Sequence, residues 1–574
     1  MKCVKLVALL LGLILFCGCT CAVAEGDPWI CPECGNENTT KFCTKCGARK
    51  PDEIVCPGCG AHYPFDTDVV FCGECGTRLI PEETVAVSYV SVSYEGEGFD
   101  TPEDAALCYL AGLKNMDFNQ MLSAFAWETQ AECFDYKAMI TRAKGTDPTY
   151  VPGMPAANNL LLSANVELIR DSQIIYICRA IENYVNDELY ASITGALPLR
   201  EASDLDGYLK RCNNGKIEKI ASMSNIRFYT PDDVTDGKFS YGKNPQSFIK
   251  QTAQYGADEA KVVFIAVDID DKTYAVSPTV VRYEKKWYVV SVGSMVSSIL
   301  GIESNKQAFF ELPENLMEEL SNVTPYSIEI DLSPSNKNIS YEGEGFRTPY
   351  EAVACYYEGL KNGNVQQMMR AFAWETQADR YSLKDYVERM FCIYYDSPIR
   401  MQLDNAFMDN INLGSLRYCQ GKKIYNAVRQ YVLEDEETAK DLVDGYRVNL
   451  QEGEEIDAFI RAFDNDKAEK LEKLGNIRLI DPATVIERFN SDSVSEQMEM
   501  KQRIYGADEI METFVVADLE GETLVFNPVL VRYGDKWYIA TVEGIAFSML
   551  GIDANHQALL HVKGSAESLL LLLK

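Results

Sequence analysis

Eight cysteines near the N-terminus are the residues of this chain whose type and spacing point most directly to chemistry. The first four read Cys31-Pro-Glu-Cys34-Gly and Cys43-Thr-Lys-Cys46-Gly, and the second four Cys56-Pro-Gly-Cys59-Gly and Cys72-Gly-Glu-Cys75-Gly. A two-residue gap lets both thiolates of a pair reach one metal ion. The glycine that follows permits the tight turn whose backbone amides face the sulfurs. Two pairs close a tetrahedral thiolate shell with no open position for water, so two structural Zn2+ ions are expected and a hydrolytic centre is not. His62 lies inside the second loop, but with four cysteines filling the shell a surface role is expected for it. The competing reading is a disulfide framework, since exported cysteines commonly pair. A bond across a two-residue gap, however, closes a very short loop and tends to be redox-active.

Elsewhere the candidates for chemistry are fewer. Only His62, His556 and His561 are histidines, which excludes most Ser-His and Cys-His chemistry from the main body. Trp127 beside Glu128, and Trp374 beside Glu375, could raise a carboxylate pKa for acid or base work; the plainer reading is a core indole with its neighbour facing solvent. Asp258-Glu259 and Asp508-Glu509 supply too few ligands for calcium and read as turns or helix caps. Arg282 and Arg532 alternate with apolar neighbours on a strand, where they could receive an anion but are expected on an exposed face. Cys108 and Cys355 occupy matching helical positions and are expected to act as small buried hydrophobes, while Cys133, Cys178, Cys212, Cys392 and Cys419 share no pattern. No catalytic residue is assigned.

The elements that must position these residues follow from the rest of the chain. With 574 residues it is long enough for several cores. Against 54 Lys and Arg it carries 86 Asp and Glu, a net charge of −32 that repels nucleic acid and anionic membrane surfaces. Lys2 and Lys5 precede an apolar run from Leu6 to Cys17, the pattern of an export segment. Three fates stay open: cleavage after Ala22-Val23-Ala24, lipidation at Cys19 within Phe16-Cys17-Gly18-Cys19, or an uncleaved anchor over Leu6 to Ala24. Each leads to an exported protein, secreted or attached to the outer face of the cytoplasmic membrane.

The body is written twice. Ser93 to Phe99 recurs as Ser340 to Phe346, Ala124 to Ala131 as Ala371 to Ala378, and Tyr255 to Glu259 as Tyr505 to Glu509. Val281 to Tyr283 with Lys286 to Tyr288 recurs as Val531 to Tyr533 with Lys536 to Tyr538. In each copy a helical stripe opened by Thr101-Pro102 or Thr348-Pro349 comes first, and β-branched and aromatic runs come last. That order predicts α+β units with helices on one face of a curved antiparallel sheet. The expected layout is an export segment at 1–24, a double zinc ribbon at 25–80, a linker at 81–92, one α+β unit at 93–312, a second linker at 313–339, a second unit at 340–562 and a tail at 563–574.

On the eight cysteines and on Phe42 and Phe71, the segment 31–75 resembles the double zinc ribbon of many prokaryotic proteins, a module that implies zinc but no single activity. The Thr-Pro-Glu-Asp-Ala-Ala start and Val-Arg-Tyr with Lys-Trp-Tyr close make each copy look like the ketosteroid-isomerase-like, or nuclear-transport-factor-like, domains of bacterial envelope proteins. Each copy is longer than that cone, and the largely helical stretch from Asn158 to Gly195 has no place in it. The fold class expected is multidomain, two small zinc ribbons followed by two tandem homologous α+β domains. The expected function is non-enzymatic binding, sensing or scaffolding in the cell envelope, with a protein or small-molecule partner and no nucleic acid. Two alternatives stand beside it: an enzyme using carboxylate and Tyr chemistry in cone-like pockets, and a spacer that self-associates through its ribbons.

Overall fold

Thr101 opens the first helix of the body, α1 (Pro102–Lys114), by accepting the Asp104 amide at 3.1 Å, and Pro102 loses nothing by lacking an N–H in the first turn. Thr348 does the same for α3 (Pro349–Lys361), accepting from Glu351. Between and after these lie two helices of 27 residues, α2 (Asn159–Val185) and α4 (Ala406–Val432), capped by Asn158 and Asn405. The computed structural model describes residues 29–30, 37–38, 53–56, 60–64, 91–146, 154–186, 196–237, 245–334, 340–394, 397, 399, 401, 405–433, 448–451 and 453–562. The chain divides into two compact units, Met1–Ala86 and Val87–Lys574.

In the first unit Trp29–Ile30 pairs antiparallel with Glu37–Asn38, and Glu53–Val55 with His62–Pro64. Cys56 is buried beside Ala61 and Tyr63 and accepts the Gly60 amide at 2.9 Å. The expected export segment 1–24 and the tail 563–574 lie outside the described residues.

The second unit is built on four sheets and a ribbon. In the first half, β2 (Ser224–Tyr229), β4 (Phe264–Ile269), β5 (Lys272–Val276) and β8 (Phe310–Glu311) form a four-stranded sheet in the order β8-β5-β4-β2, and β3 (Glu259–Val262), β6 (Thr279–Tyr283) and β7 (Lys286–Ser291) a three-stranded one in the order β7-β6-β3. In the second half, β10 (Gly475–Ile480), β12 (Phe514–Leu519), β13 (Glu522–Phe526) and β16 (Leu560–Val562) run in the order β10-β12-β13-β16, and β11 (Glu509–Glu512), β14 (Val529–Tyr533) and β15 (Lys536–Thr541) in the order β11-β14-β15. The apolar run that begins at Val262 is therefore not one strand. It breaks at Val263, whose amide bonds the carbonyl of Pro278, and the ladder shifts register at Thr279. Pro278 has no N–H to continue it, and the single curved sheet expected in each copy divides in two.

The fold class expected from sequence is corrected in a larger respect. Two self-contained tandem domains would each close their own core, whereas the halves here share one unit. Helices α2 and α4 pack along each other, and each glycine of α4 at the contact marks a close approach: a Cβ at Gly414 would sit 2.2 Å from Ile174 Cγ2, and one at Gly421 2.6 Å from Asp171 Oδ2. A two-stranded ribbon joins β1 (Ala196–Pro198) of one half to β9 (Cys392–Tyr394) of the other. The Val365 amide bonds Ser163 Oγ at 2.8 Å, and Gln366 both donates to Val92 O and accepts its amide. The sequence copies thus form an interlocked body rather than an internal repeat of independent modules.

Each half keeps an aromatic stack under its sheets. Phe125 stacks on Trp127 at 4.5 Å with Tyr109 edge-on, and Phe372 stacks on Trp374 at 4.6 Å with Tyr356 edge-on. The membrane expectation is corrected only as far as the described residues go: none of their helices is long and apolar enough to cross a membrane, the two 27-residue helices carrying charged residues through their length, and the segment 1–24 lies outside them.

Candidate functional site

The most unusual chemistry lies where α2 meets α4. Glu167, Arg170 and Asp171 project from successive turns of α2 and Arg417 from α4, with exposures of 3 %, 1 %, 1 % and 1 %. Charged side chains are seldom so buried unless paired, and these pair across the seam. Arg417 Nη2 donates to Glu167 Oε2 at 2.8 Å, and Arg170 Nη1 lies 3.7 Å from the same oxygen. The guanidinium carbons are covered by rings: Arg170 Cζ lies 4.1 Å from the centre of Tyr94 and 4.2 Å from that of Tyr341, and Arg417 Cζ 4.8 Å from Tyr341 and 5.1 Å from Trp374. Burial pushes the Asp171 carboxyl up to about 7, against the pull of Arg417 and Arg170 and with the help of Glu167. Glu167 Oε1 and both oxygens of Asp171 are buried without a hydrogen-bond partner.

Beside this cluster a cavity of about 410 Å3 opens at the seam. Glu128 and Glu167 line it together with Ser163 and Asn159 from the first half and Asn364 and Gln366 from the second. Glu128 uses Oε1 to accept the Tyr94 amide at 2.8 Å, and its Oε2 is buried without a partner. Its counterpart Glu375 accepts the Tyr341 amide at 2.7 Å and likewise has a partnerless Oε2. The cavity size lies within the range of small-molecule sites, and its polar groups converge from both halves.

The residues singled out in the sequence are placed as follows. Trp127 and Trp374 are fully buried, and each indole N–H donates to a backbone carbonyl, of Leu122 at 3.0 Å and of Met369 at 2.7 Å. Glu128 and Glu375 turn inward rather than to solvent. Arg282 and Arg532 take Glu259 and Glu509 as cross-strand partners, at 3.4 and 3.0 Å from Nε, so two separate candidates are one exposed ion pair in each half. Asp258 stands 3.9 Å from Arg282, and Asp508 accepts the Gly534 amide at 2.6 Å. Burial raises the thiols of Cys108 and Cys355 above the ordinary cysteine range. Cys178, Cys212 and Cys392 are also buried, and Cys133 is exposed.

The metal expectation is corrected. Among the described residues no group of three or more His, Cys, Asp or Glu stands close enough to hold an ion, and a tetrahedral site needs four converging ligands. Cys31, Cys34, Cys43, Cys46, Cys59, Cys72 and Cys75 lie outside the described residues, and Cys56 is described alone.

Glu167, Arg170, Asp171 and Arg417 were not singled out in the sequence, because their segment had no place in the expected cone. A signal was present. Arg170 and Arg417 stand at the spacing that relates Trp127 to Trp374, each an arginine within an otherwise apolar helical face. Glu167 and Asp171 have Gly414 and Tyr418 at the corresponding places, so the acid pair belongs to one copy only.

No family model and no curated protein matches this chain. Among solved structures it is similar to a cystatin-like protein from Ruminococcus gnavus ATCC 29149, with a TM-score of 0.47 and 13 % identity over 81 % of this chain and 93 % of that one. The resemblances to zinc-ribbon and ketosteroid-isomerase-like families are thus supported by no family model.

Proposed function

We propose that this protein is a non-enzymatic binding module and that its ligand enters the cavity between the two halves. The observation that carries the reading is a cavity of about 410 Å3 whose polar lining is drawn from both halves, Glu128, Asn159, Ser163 and Glu167 from the first and Asn364 and Gln366 from the second. The aromatic stacks support the same reading, since they fill the interior of each half where cone-like active sites were expected. Asp171 has a shift of the kind seen in acid–base catalysts but is not among the residues that line the cavity.

Screening chemically varied small molecules against the full chain by thermal shift tests the proposal. Compounds that raise the melting temperature of the natural protein, but not of Leu162→Trp with an indole filling the cavity, are expected. Each compound is recovered and analysed after incubation. Conversion to product would replace binding by catalysis, and stabilisation equal in both proteins would move the site elsewhere.

A further inference from the structure

We infer that the seam cavity takes an extended peptide segment, held through its main-chain carbonyls by Asn362 and Gln367, an inference that rests on the cavity being the binding site. Three observations carry it. First, the first half contains the same grip with main chain in it: Asn115 Nδ2 donates to Leu332 O at 3.0 Å and Gln120 Nε2 to Ser333 O at 2.7 Å, and Asn115 Nδ2 also donates to Gln120 Oε1 at 3.1 Å. Second, Asn362 and Gln367 are the counterparts of Asn115 and Gln120, with the same bond between them, Asn362 Nδ2 to Gln367 Oε1 at 3.3 Å, and Asn362 lines the cavity. Gln367 is 6 % exposed, and among the described residues its Nε2 has no acceptor. Third, the wall beside them already reads main chain: Gln366 donates to Val92 O at 2.6 Å and accepts the Val92 amide at 2.9 Å, as a neighbouring strand would.

The grip is built locally, which is why it is copied with the sequence. Asn115 ends α1 and Gln120 lies on the short helix that Asp117 caps; Asn362 ends α3 and Gln367 lies on the short helix that Asn364 caps. In each half two carboxamides five residues apart are fixed against one another. A buried amide N–H gains most from a carbonyl oxygen, the acceptor that every residue of a peptide supplies. The charges nearby are already engaged, Glu167 with Arg417 and Arg170, and Glu128 with the Tyr94 amide. That leaves a wall of amides and hydroxyls, Asn159, Ser163 and Asn364 among them, which suits the neutral peptide unit rather than an ion. Recognition through carbonyls is blind to side chains, so the partner is defined by an extended backbone more than by its sequence.

Ligand-observed NMR titration of the full chain with an acetylated, amidated peptide Ile-Asp-Leu-Ser-Pro, the sequence of residues 330–334, and with glucose tests the inference, using the natural protein, Asn362→Ala and Leu162→Trp, with melting curves confirming that each variant is folded. Saturable peptide binding is expected, weakened about fivefold by N362A and abolished by L162W, with glucose inert. Glucose binding that L162W abolishes, with the peptide inert, would overturn the peptide class and leave the cavity as the binding site. Peptide binding undiminished in both variants would place the site elsewhere and overturn the cavity itself. No saturable binding of the peptide at millimolar concentration would overturn the peptide inference.

Discussion

Arg417→Met removes one guanidinium from the seam while keeping most of its apolar stem. In the natural protein Glu167 has Arg417 at 2.8 Å and Arg170 at 3.7 Å, and all three are buried. The variant leaves Glu167 with only the more distant cation and takes a ring-covering group from Tyr341 and Trp374. Breaking a buried pair from one side costs about 3–5 kcal/mol, and because Arg170 remains, a loss of about 3 kcal/mol at neutral pH is expected. Glu167→Gln alone leaves Arg417 short of its partner, while the double variant removes both charges. The double variant should therefore lose at least about 1 kcal/mol less than the two single losses combined. Urea denaturation at pH 7, read as midpoint shifts at constant slope, measures all three. An R417M protein within about 0.5 kcal/mol of the natural one would refute the reasoning, since it would mean that the guanidinium is not desolvated at the seam.

Three further outcomes follow from the same contacts. Asp171 is raised from an ordinary carboxylate value to about 7, so between about pH 4 and pH 7 the folded chain holds a proton that the unfolded chain has lost. Stability should fall as pH rises through that window, and Asp171→Asn should flatten the fall and exceed the natural protein by roughly a few kcal/mol above pH 7; parallel stability–pH curves would contradict this. Gly414→Ala should destabilise by about 1 kcal/mol, overpacking against Ile174 Cγ2 outweighing the better helix propensity of alanine, and adding Ile174→Ala should cost less than the sum of the two single changes in urea melts. Trp127→Ala and Trp374→Ala should each cost about 3–5 kcal/mol in thermal or urea unfolding, and a loss below about 1 kcal/mol would mean that the indoles are not the packed centres of their halves.

How much was legible in the sequence depended on the range of the interaction. Thr101 and Thr348 are local signals, fixed by a hydroxyl and an amide three residues apart, and they could be read directly. Arg282 could be placed on a strand, but Glu259 reads as part of a turn or cap, and its place in β3 and its pairing with Arg282 depend on the register of β3 against β6. The seam lay further out of reach. Glu167 and Arg417 are 250 residues apart, and neither carries a local pattern that names the other. Gly414 and Gly421 were not singled out in the sequence, and only the approach of α2 explains them. Separate copies in a sequence do not reveal whether their surfaces are solvated or fused. That choice was made by burial of α2 and α4 against each other, and it turned two expected domains into one unit with a cavity at their junction.

The most direct test of the account is a crystal structure of the full chain grown with whichever compound raises its melting temperature most. That compound is expected in the seam cavity, against Glu128, Leu162, Glu167 and Asn364. The compound bound elsewhere, or converted to product in the crystal, would contradict the reading of the cavity as a binding site.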